Sequence, residues 1–74
     1  MTDNLVMFLK SNAGFKIIAE RQLGYTAIET EVVLAVRPDL SEYVTWIRYR
    51  GNEYYHGHYT FDFDFAVKDF QTRE

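Results

Sequence analysis

The stretch "EYYHGHYTFDFDF", residues 53–65, indicates the fold more clearly than any other part of the chain. It holds six Phe or Tyr residues and two histidines in thirteen positions. We predict a strand over 53–60, because strands favour aromatic residues. We predict a helix over 62–73, because Asp62 can cap it by accepting an early backbone N–H. The stretch is therefore expected to be an aromatic strand that leads into a capped helix.

Two further strands are predicted upstream of this stretch. Residues 42–50, "EYVTWIRYR", combine β-branched and aromatic residues, and the "GN" at 51–52 is a tight-turn signal before the next strand. Residues 28–37, "IETEVVLAVR", are also rich in β-branched residues and end at Pro38. The "PDLS" that begins at Pro38 is typical of a turn, so the three strands are expected to form an antiparallel meander.

The N-terminal part of the chain has a less distinct pattern. Apolar residues in 15–23, "FKIIAERQL", fit either one face of a helix or one face of a strand. We favour a strand, because "LGYT" then serves as a hairpin connection to the next one. Residues 3–13 have helical spacing, with Thr2 or Asp3 as the cap and Gly14 at the end. This segment is predicted to be a short helix.

These elements define an α+β fold in a single domain, residues 1–74. We expect a four-stranded antiparallel sheet with a short N-terminal helix and a C-terminal helix, in the order α-β-β-β-β-α and in two layers. The expected core joins the helix to one face of the sheet. Its members are Val33, Val44, Trp46, Phe63, Val67 and Phe70.

Several short motifs resemble a recurring set of short uncharacterised proteins from Gram-positive bacteria, their phages and plasmids. The matching motifs are "YVTW" at 43–46, "GN" at 51–52, "YY" at 54–55, "GHY" at 57–59 and "AVKDF" at 66–70. The chain departs from that pattern at His56, where a large aromatic residue, usually Trp, is expected. Small proteins of mobile elements often bind and block a host defence enzyme. The resemblance therefore implies a protein inhibitor.

Composition narrows the function further. The net charge is −3, there is no cysteine, and the short run "LVMFL" at 5–9 has no basic flank. We expect a cytoplasmic protein that does not associate with a membrane. The chain has no nucleophile-elbow, phosphate-loop or dinucleotide motif. We therefore predict that it is not an enzyme.

The two histidines are candidate metal ligands. His56 and His58 are two positions apart, so both point to one face of a strand. Asp62 or Asp64 would be the third ligand that a catalytic zinc needs, and a structural zinc usually needs four. With two histidines and no cysteine in the chain, we predict no metal and no other cofactor.

A surplus of apolar sheet surface points to protein binding. If Val44 and Trp46 face the core, the opposite face of that strand carries Tyr43, Ile47 and Tyr49 and lacks a cover. We expect this face, together with Asp62 and Asp64, to bind a protein partner such as a host defence enzyme, or a second copy of the chain. Acidic residues can imitate phosphates if they cluster. The acidic residues considered are Glu29, Glu31, Asp62, Asp64, Asp69 and Glu74.

Two alternative functions remain open. Aromatic residues flanked by basic ones can stack the bases of single-stranded nucleic acid. The residues for that role are Arg48, Arg50, Tyr54 and His56, although the negative net charge makes nucleic acid the less favoured partner. The other alternative is a structural, self-assembling component.

Overall fold

The structure is a computed structural model that describes residues 10–24 and 29–74. In these ranges the chain forms one antiparallel sheet, curled into a half-barrel, in the order β1-β2-β3-β4-β5. One helix follows the last strand, and no helix in the described ranges is long and apolar enough to cross a membrane. The elements are β1 Ser11–Asn12, β2 Phe15–Gln22, β3 Thr30–Val36, β4 Tyr43–Tyr49, β5 Glu53–Thr60 and α1 Phe63–Thr72.

The predicted order α-β-β-β-β-α is wrong, because the described residues already contain five strands, with the helix after them. Most of the predicted helix over 3–13 lies outside the described residues. Its remaining part contains β1 and begins a hairpin turn at Ala13 and Gly14, whose φ angles are 53° and 85°. Positive φ at both central positions is typical of the tight turns that connect antiparallel strands. Gly14 therefore belongs to a hairpin turn, although it was predicted to end a helix.

The other predicted elements are confirmed with shifts of a residue or two. The ambiguous segment 15–23 is a strand, β2, and the strands predicted over 42–50 and 53–60 are β4 and β5. The strand predicted over 28–37 is described from residue 29 and forms β3. Asp62 caps α1 by accepting a hydrogen bond of 3.2 Å from the backbone N–H of Phe65. The local pattern of β-branched and aromatic residues was thus sufficient for β3, β4 and β5, whereas β2 was chosen over a helix only because of its hairpin connection.

The helix covers the face of the sheet opposite to the expected one. On β4, Tyr43, Thr45, Ile47 and Tyr49 alternate with Val44 and Trp46, and α1 lies on the first set, which we call the helix face. Phe70 packs there against a buried cluster, and the Oγ1 of Thr45 donates a hydrogen bond of 2.6 Å to Asp69. The cluster consists of Leu23, Val32 and Ile47. The core therefore divides between the two faces of the sheet.

Arg21 fastens the end of the helix to β2. Its guanidinium donates hydrogen bonds of 3.1 and 2.8 Å to the backbone carbonyl of Phe70 and another to that of Arg73. These carbonyls lie in and just after the last turn of α1, where a cation is also favoured by the helix dipole. A polar side chain of β2 thus helps to select the face on which α1 docks.

The opposite side, which we call the tryptophan face, is also buried. Trp46 is 4% exposed and meets the rings of Phe15 and Tyr54 edge-on, with centroids 5.7 and 5.4 Å away. The buried cluster on this face consists of Phe15, Ile17, Val33, Ala35, Val44 and Trp46. The curl of the sheet brings these side chains together without α1.

Candidate protein-binding site

Three phenylalanines remain exposed where β5 gives way to α1. Phe61 is 80% exposed, Phe63 49% and Phe65 58%. We call these three residues the phenylalanine patch. Single exposed apolar residues are common, whereas contiguous exposed apolar area is typical of interaction sites, so these three neighbouring residues are a candidate for one. Phenylalanine is also among the residues enriched at protein interfaces.

Local hydrogen bonds hold the patch in place. The backbone N–H of Asp62 donates to Thr60 Oγ1 at 3.0 Å, and Asp62 in turn caps α1 at Phe65. Phe63 rests on the ring of Tyr43, with the centroids 5.3 Å apart. Only Ala66 of α1 is fully buried, so the helix presents its first turn outward. The patch is therefore carried by a strand end and a capped helix start, both anchored.

Carboxylates alternate with the phenylalanines of the patch. Asp62 and Asp64 are both exposed and lie between the aromatic residues in sequence. Asp64 belongs to the first turn of α1, where the helix dipole favours a negative charge. The patch therefore combines apolar area with negative charge.

The expected binding residues of β4 lie mostly beneath the helix. Ile47 is only 6% exposed and belongs to the buried cluster under α1. Tyr43 and Tyr49 are half-buried, the first against Phe63 and the second against Tyr55, with the centroids 5.4 Å apart. Of the expected set, Asp62 and Asp64 are the exposed members, and they adjoin the phenylalanine patch.

The residues considered for nucleic-acid stacking do not form one surface. Arg48 is 3% exposed on the tryptophan face, where it donates to Glu20 at 2.7 Å and to Glu31 at 2.6 Å. Burial alone would lower the pKa of Arg48, but hydrogen bonds to Tyr54, Glu31 and Glu20 outweigh it and raise the pKa. Arg48 is thus a neutralised, buried cation and is not available to a phosphate.

The other members of that set lie apart from one another. Arg50 is exposed in the turn between β4 and β5, with φ at 55°. Tyr54 packs on Trp46, and His56 lines a cleft on the helix face. No continuous platform of aromatic and basic side chains results among these residues.

A bulge in β5 positions the two histidines. Trp46 of β4 faces both His56 and Gly57, because the register shifts between the pairs Ile47–Tyr55 and Thr45–His58. His56 has a φ of 56°, as a bulge of this kind requires. Both histidine side chains then line the cleft on the helix face.

His58 joins α1 to β5 through a small polar cluster. Its Nδ1 lies 2.9 Å from Asp69 Oδ2, the same oxygen that accepts the Thr45 hydroxyl. Burial alone would raise the pKa of Asp69, but hydrogen bonds from Thr45 and His58 hold it below its usual value of 3.8. Arg73 donates to the carbonyl of Thr45 at 2.9 Å and also to the carbonyl of His56. The cluster fastens the helix to the sheet.

The adjacent cleft has a volume of about 530 Å³, and its lining does not indicate a particular ligand. Its lining includes the two histidines and Arg73, but also the acidic Glu74 beside an apolar floor. In the described ranges, no three His, Cys, Asp or Glu side chains come close enough together to hold a metal ion. The cleft therefore has neither a strong net charge nor a set of metal ligands.

Comparison with known proteins found no matching family model, no matching curated protein and no matching solved structure. The site must therefore be interpreted from its own geometry. On exposure and composition, the phenylalanine patch stands out from the other described surfaces.

Of the three patch residues, only Phe63 was predicted to lie in the core, and its exposure of 49% contradicts that prediction. The signal that was missed is the alternation of Phe and Asp over residues 61–65. Phe63 and Phe65 are two positions apart on a helix, so they cannot both face the sheet. Phe61 precedes the cap and belongs to neither element. This spacing alone was enough to place at least one of these rings in solvent.

Proposed function

We propose that the protein is a non-enzymatic protein-binding module and that the phenylalanine patch is its contact surface. The observation that carries the proposal is the exposure of three large aromatic rings on an anchored segment. Rigid aromatic residues contribute most of the energy of protein interfaces, because they bury a large area with little loss of side-chain entropy.

Charge indicates the chemistry of the partner. Asp62 and Asp64 flank the rings, and the whole chain has a net charge of −3. A partner with an apolar groove and a rim of Lys or Arg would complement this surface and associate faster at low salt. The resemblance to phage and plasmid proteins adds a host defence enzyme as the proposed partner, with the cytoplasm as the setting. The absence of cysteine supports that setting.

Phosphate imitation by all six acidic residues is not part of this proposal. Glu31 is engaged by Arg48, and Asp69 is engaged by Thr45 and His58. The two that flank the patch, Asp62 and Asp64, are the acidic side chains that a partner would meet there.

The test is affinity capture from a nuclease-treated lysate of the host, with three tagged proteins. These are the wild type, the double variant Phe61→Ser/Phe65→Ser, and the control Ile18→Ser. Ile18 is 48% exposed on β2, so the control removes a similar apolar side chain from another place. All three should fold, because exposed substitutions usually change stability by no more than about 0.5 kcal/mol.

We expect the wild type and Ile18→Ser to retain the same protein and the double variant to lose it, with all circular dichroism spectra alike. Equal capture by the double variant would refute the proposal, as would a wild type that retains no protein. Nuclease treatment ensures that a bridging nucleic acid does not account for the result.

A further inference from the structure

Leu40 is exposed in a backbone conformation that suits it poorly. It has a φ of 64° and is 67% exposed in the loop between β3 and β4. Its backbone N–H donates to the carbonyl of Arg37 at 2.8 Å, which closes a turn with Pro38 at its second position. Glycine is the usual residue at positive φ because it lacks a Cβ, and asparagine is tolerated there because its short polar side chain can hydrogen-bond locally. Positive φ also occurs at Ala13, Arg50 and His56, so the feature that distinguishes Leu40 is its exposed apolar side chain.

The loop that carries Leu40 projects from the same end of the sheet as the phenylalanine patch. Tyr43, the first residue of β4, pairs with Val36 on one side and with Thr60 on the other. Leu40 lies in the connection from Val36 to Tyr43, and Phe61 directly follows Thr60. The ring of Phe63 rests on Tyr43 itself. The two exposed apolar segments therefore flank one residue, Tyr43.

Charge is similar on both sides of Tyr43. Asp39 precedes Leu40, and hydrogen bonds from Ser41 hold the pKa of Asp39 below its usual value of 3.8. The one arginine of the loop, Arg37, pairs with Glu42 at 3.1 Å and lies over the ring of Phe15. Lys16, which pairs with Val36, adds a single positive charge at this end of the sheet. Carboxylates thus accompany the apolar groups on both segments.

We propose that Leu40 is a second contact residue, which together with the phenylalanine patch engages one partner protein. This inference rests on the proposed function. The partner surface would receive the leucine and the phenylalanines at separate apolar sites and would present basic residues to Asp39, Asp62 and Asp64. Burial of Leu40 in the complex accounts for a large apolar side chain that is 67% exposed in the free protein.

The first experiment uses photo-crosslinking in cells of the host. The photoreactive residue p-benzoylphenylalanine is incorporated in place of Leu40, of Phe61 or, as a control, of Ile18. We expect the first two positions to cross-link the same protein, as identified by mass spectrometry, and Ile18 to give no such product. A cross-link between two copies of this chain at Leu40 or Phe61 would overturn the choice of a different protein as the occupant.

The second experiment measures binding and stability together. The purified protein that is cross-linked at Phe61 serves as the probe for the wild type, Leu40→Gly and Leu40→Asn. Loss of a buried leucine side chain should weaken binding about tenfold or more. The same variants should keep or raise the melting temperature, because both residues tolerate positive φ.

The outcomes separate this inference from the proposed function. Cross-linking at Phe61 with full affinity of both Leu40 variants would leave the patch intact and refute the role of Leu40. Absence of any cross-link at Phe61 would refute the proposed function itself. Weaker binding that accompanies a large fall in melting temperature would also count against Leu40, because unfolding would then explain the loss.

Discussion

Gly57 lies directly beneath two aromatic side chains of the tryptophan face. A Cβ at this position would stand 2.6 Å from Cε1 of Tyr59 and 2.9 Å from Nε1 of Trp46. Tyr59 is 54% exposed and has room to swing away, but Trp46 is only 4% exposed and is held by its neighbours. The absence of a side chain at Gly57 therefore leaves room for the indole of Trp46 beside the bulge in β5.

We predict that Gly57→Ala destabilises the protein by about 1–3 kcal/mol, the usual cost of overpacking a filled core. The control is Gly24→Ala, because a Cβ there meets no atom within 4 Å and should change stability little. Urea unfolding followed by tryptophan fluorescence measures both. Equal unfolding midpoints for the wild type and Gly57→Ala would show that the indole is free to move.

At the scale of elements, each of two hairpin turns contains a residue that is not preferred at positive φ. Ala13 and Gly14 connect β1 to β2, and Arg50 and Gly51 follow β4, all four with positive φ. The second turn is closed by a hydrogen bond of 3.2 Å from the N–H of Asn52 to the preceding strand. Asn-Gly is the preferred pair for such turns. Each turn therefore combines one glycine, which suits positive φ, with one residue that does not.

We predict that Arg50→Asn stabilises the protein by about 0.5–1 kcal/mol, because asparagine tolerates positive φ better than arginine. Arg50→Ala is the matched control: it removes the same side chain but leaves a Cβ at a φ of 55°. Thermal and urea unfolding of the three proteins test this. A gain of similar size in Arg50→Ala would attribute the effect to lost charge and not to the backbone.

β5 is the last strand of the described sheet, and its own geometry limits strand pairing with another molecule. The bulge at His56 and Gly57 interrupts its regular course, and Arg73 occupies the carbonyl of His56. Bulges on edge strands are a common means of blocking sheet extension. Self-assembly through this edge is therefore disfavoured.

At the scale of the whole molecule, charged side chains make stabilising contacts on both faces of the sheet. On the tryptophan face, burial alone would raise the pKa of Glu20, but Arg48 and then Lys10 outweigh it and keep the pKa below 4.5. On the helix face, Asp69 is likewise held below its usual pKa of 3.8. A carboxyl group with a lowered pKa stabilises the fold at pH values above its unfolded pKa. That contribution is lost as the pH falls through the lowered value.

We therefore predict that the free energy of unfolding declines as the pH falls below about 4.5, and further below 3.8. Glu20→Gln and Asp69→Asn should each be less stable than the wild type at pH 6 and should lose less on acidification. Urea midpoints measured from pH 6 to acid provide the comparison. Variants whose midpoints fall as steeply as that of the wild type would show that these two carboxylates do not control acid unfolding.

Part of the candidate site could be predicted from the local sequence alone. Asp62 as a helix cap follows from its side chain and its position before an apolar stripe, and the structure confirms it. The exposure of Phe61 and Phe65 was also within reach, because their spacing crosses a strand end and a helix start. The positive φ of Leu40 was not, since no glycine or asparagine marks that position in the sequence.

By itself, the sequence determined β3 to β5 and α1, because alternation, β-branched residues and capping act over a few neighbours. For β2 the local pattern left helix and strand open, and the tertiary structure decided for a strand. The sequence did not determine which face of β4 receives the helix, since Val44 and Trp46 on one side are as apolar as Ile47 and Tyr49 on the other. That choice was made by tertiary contacts, among them the hydrogen bonds from Arg21 to the end of α1 and the packing of Phe70 on the helix face. Arg21 and Phe70 are 49 positions apart, and no local pattern encodes such a pair.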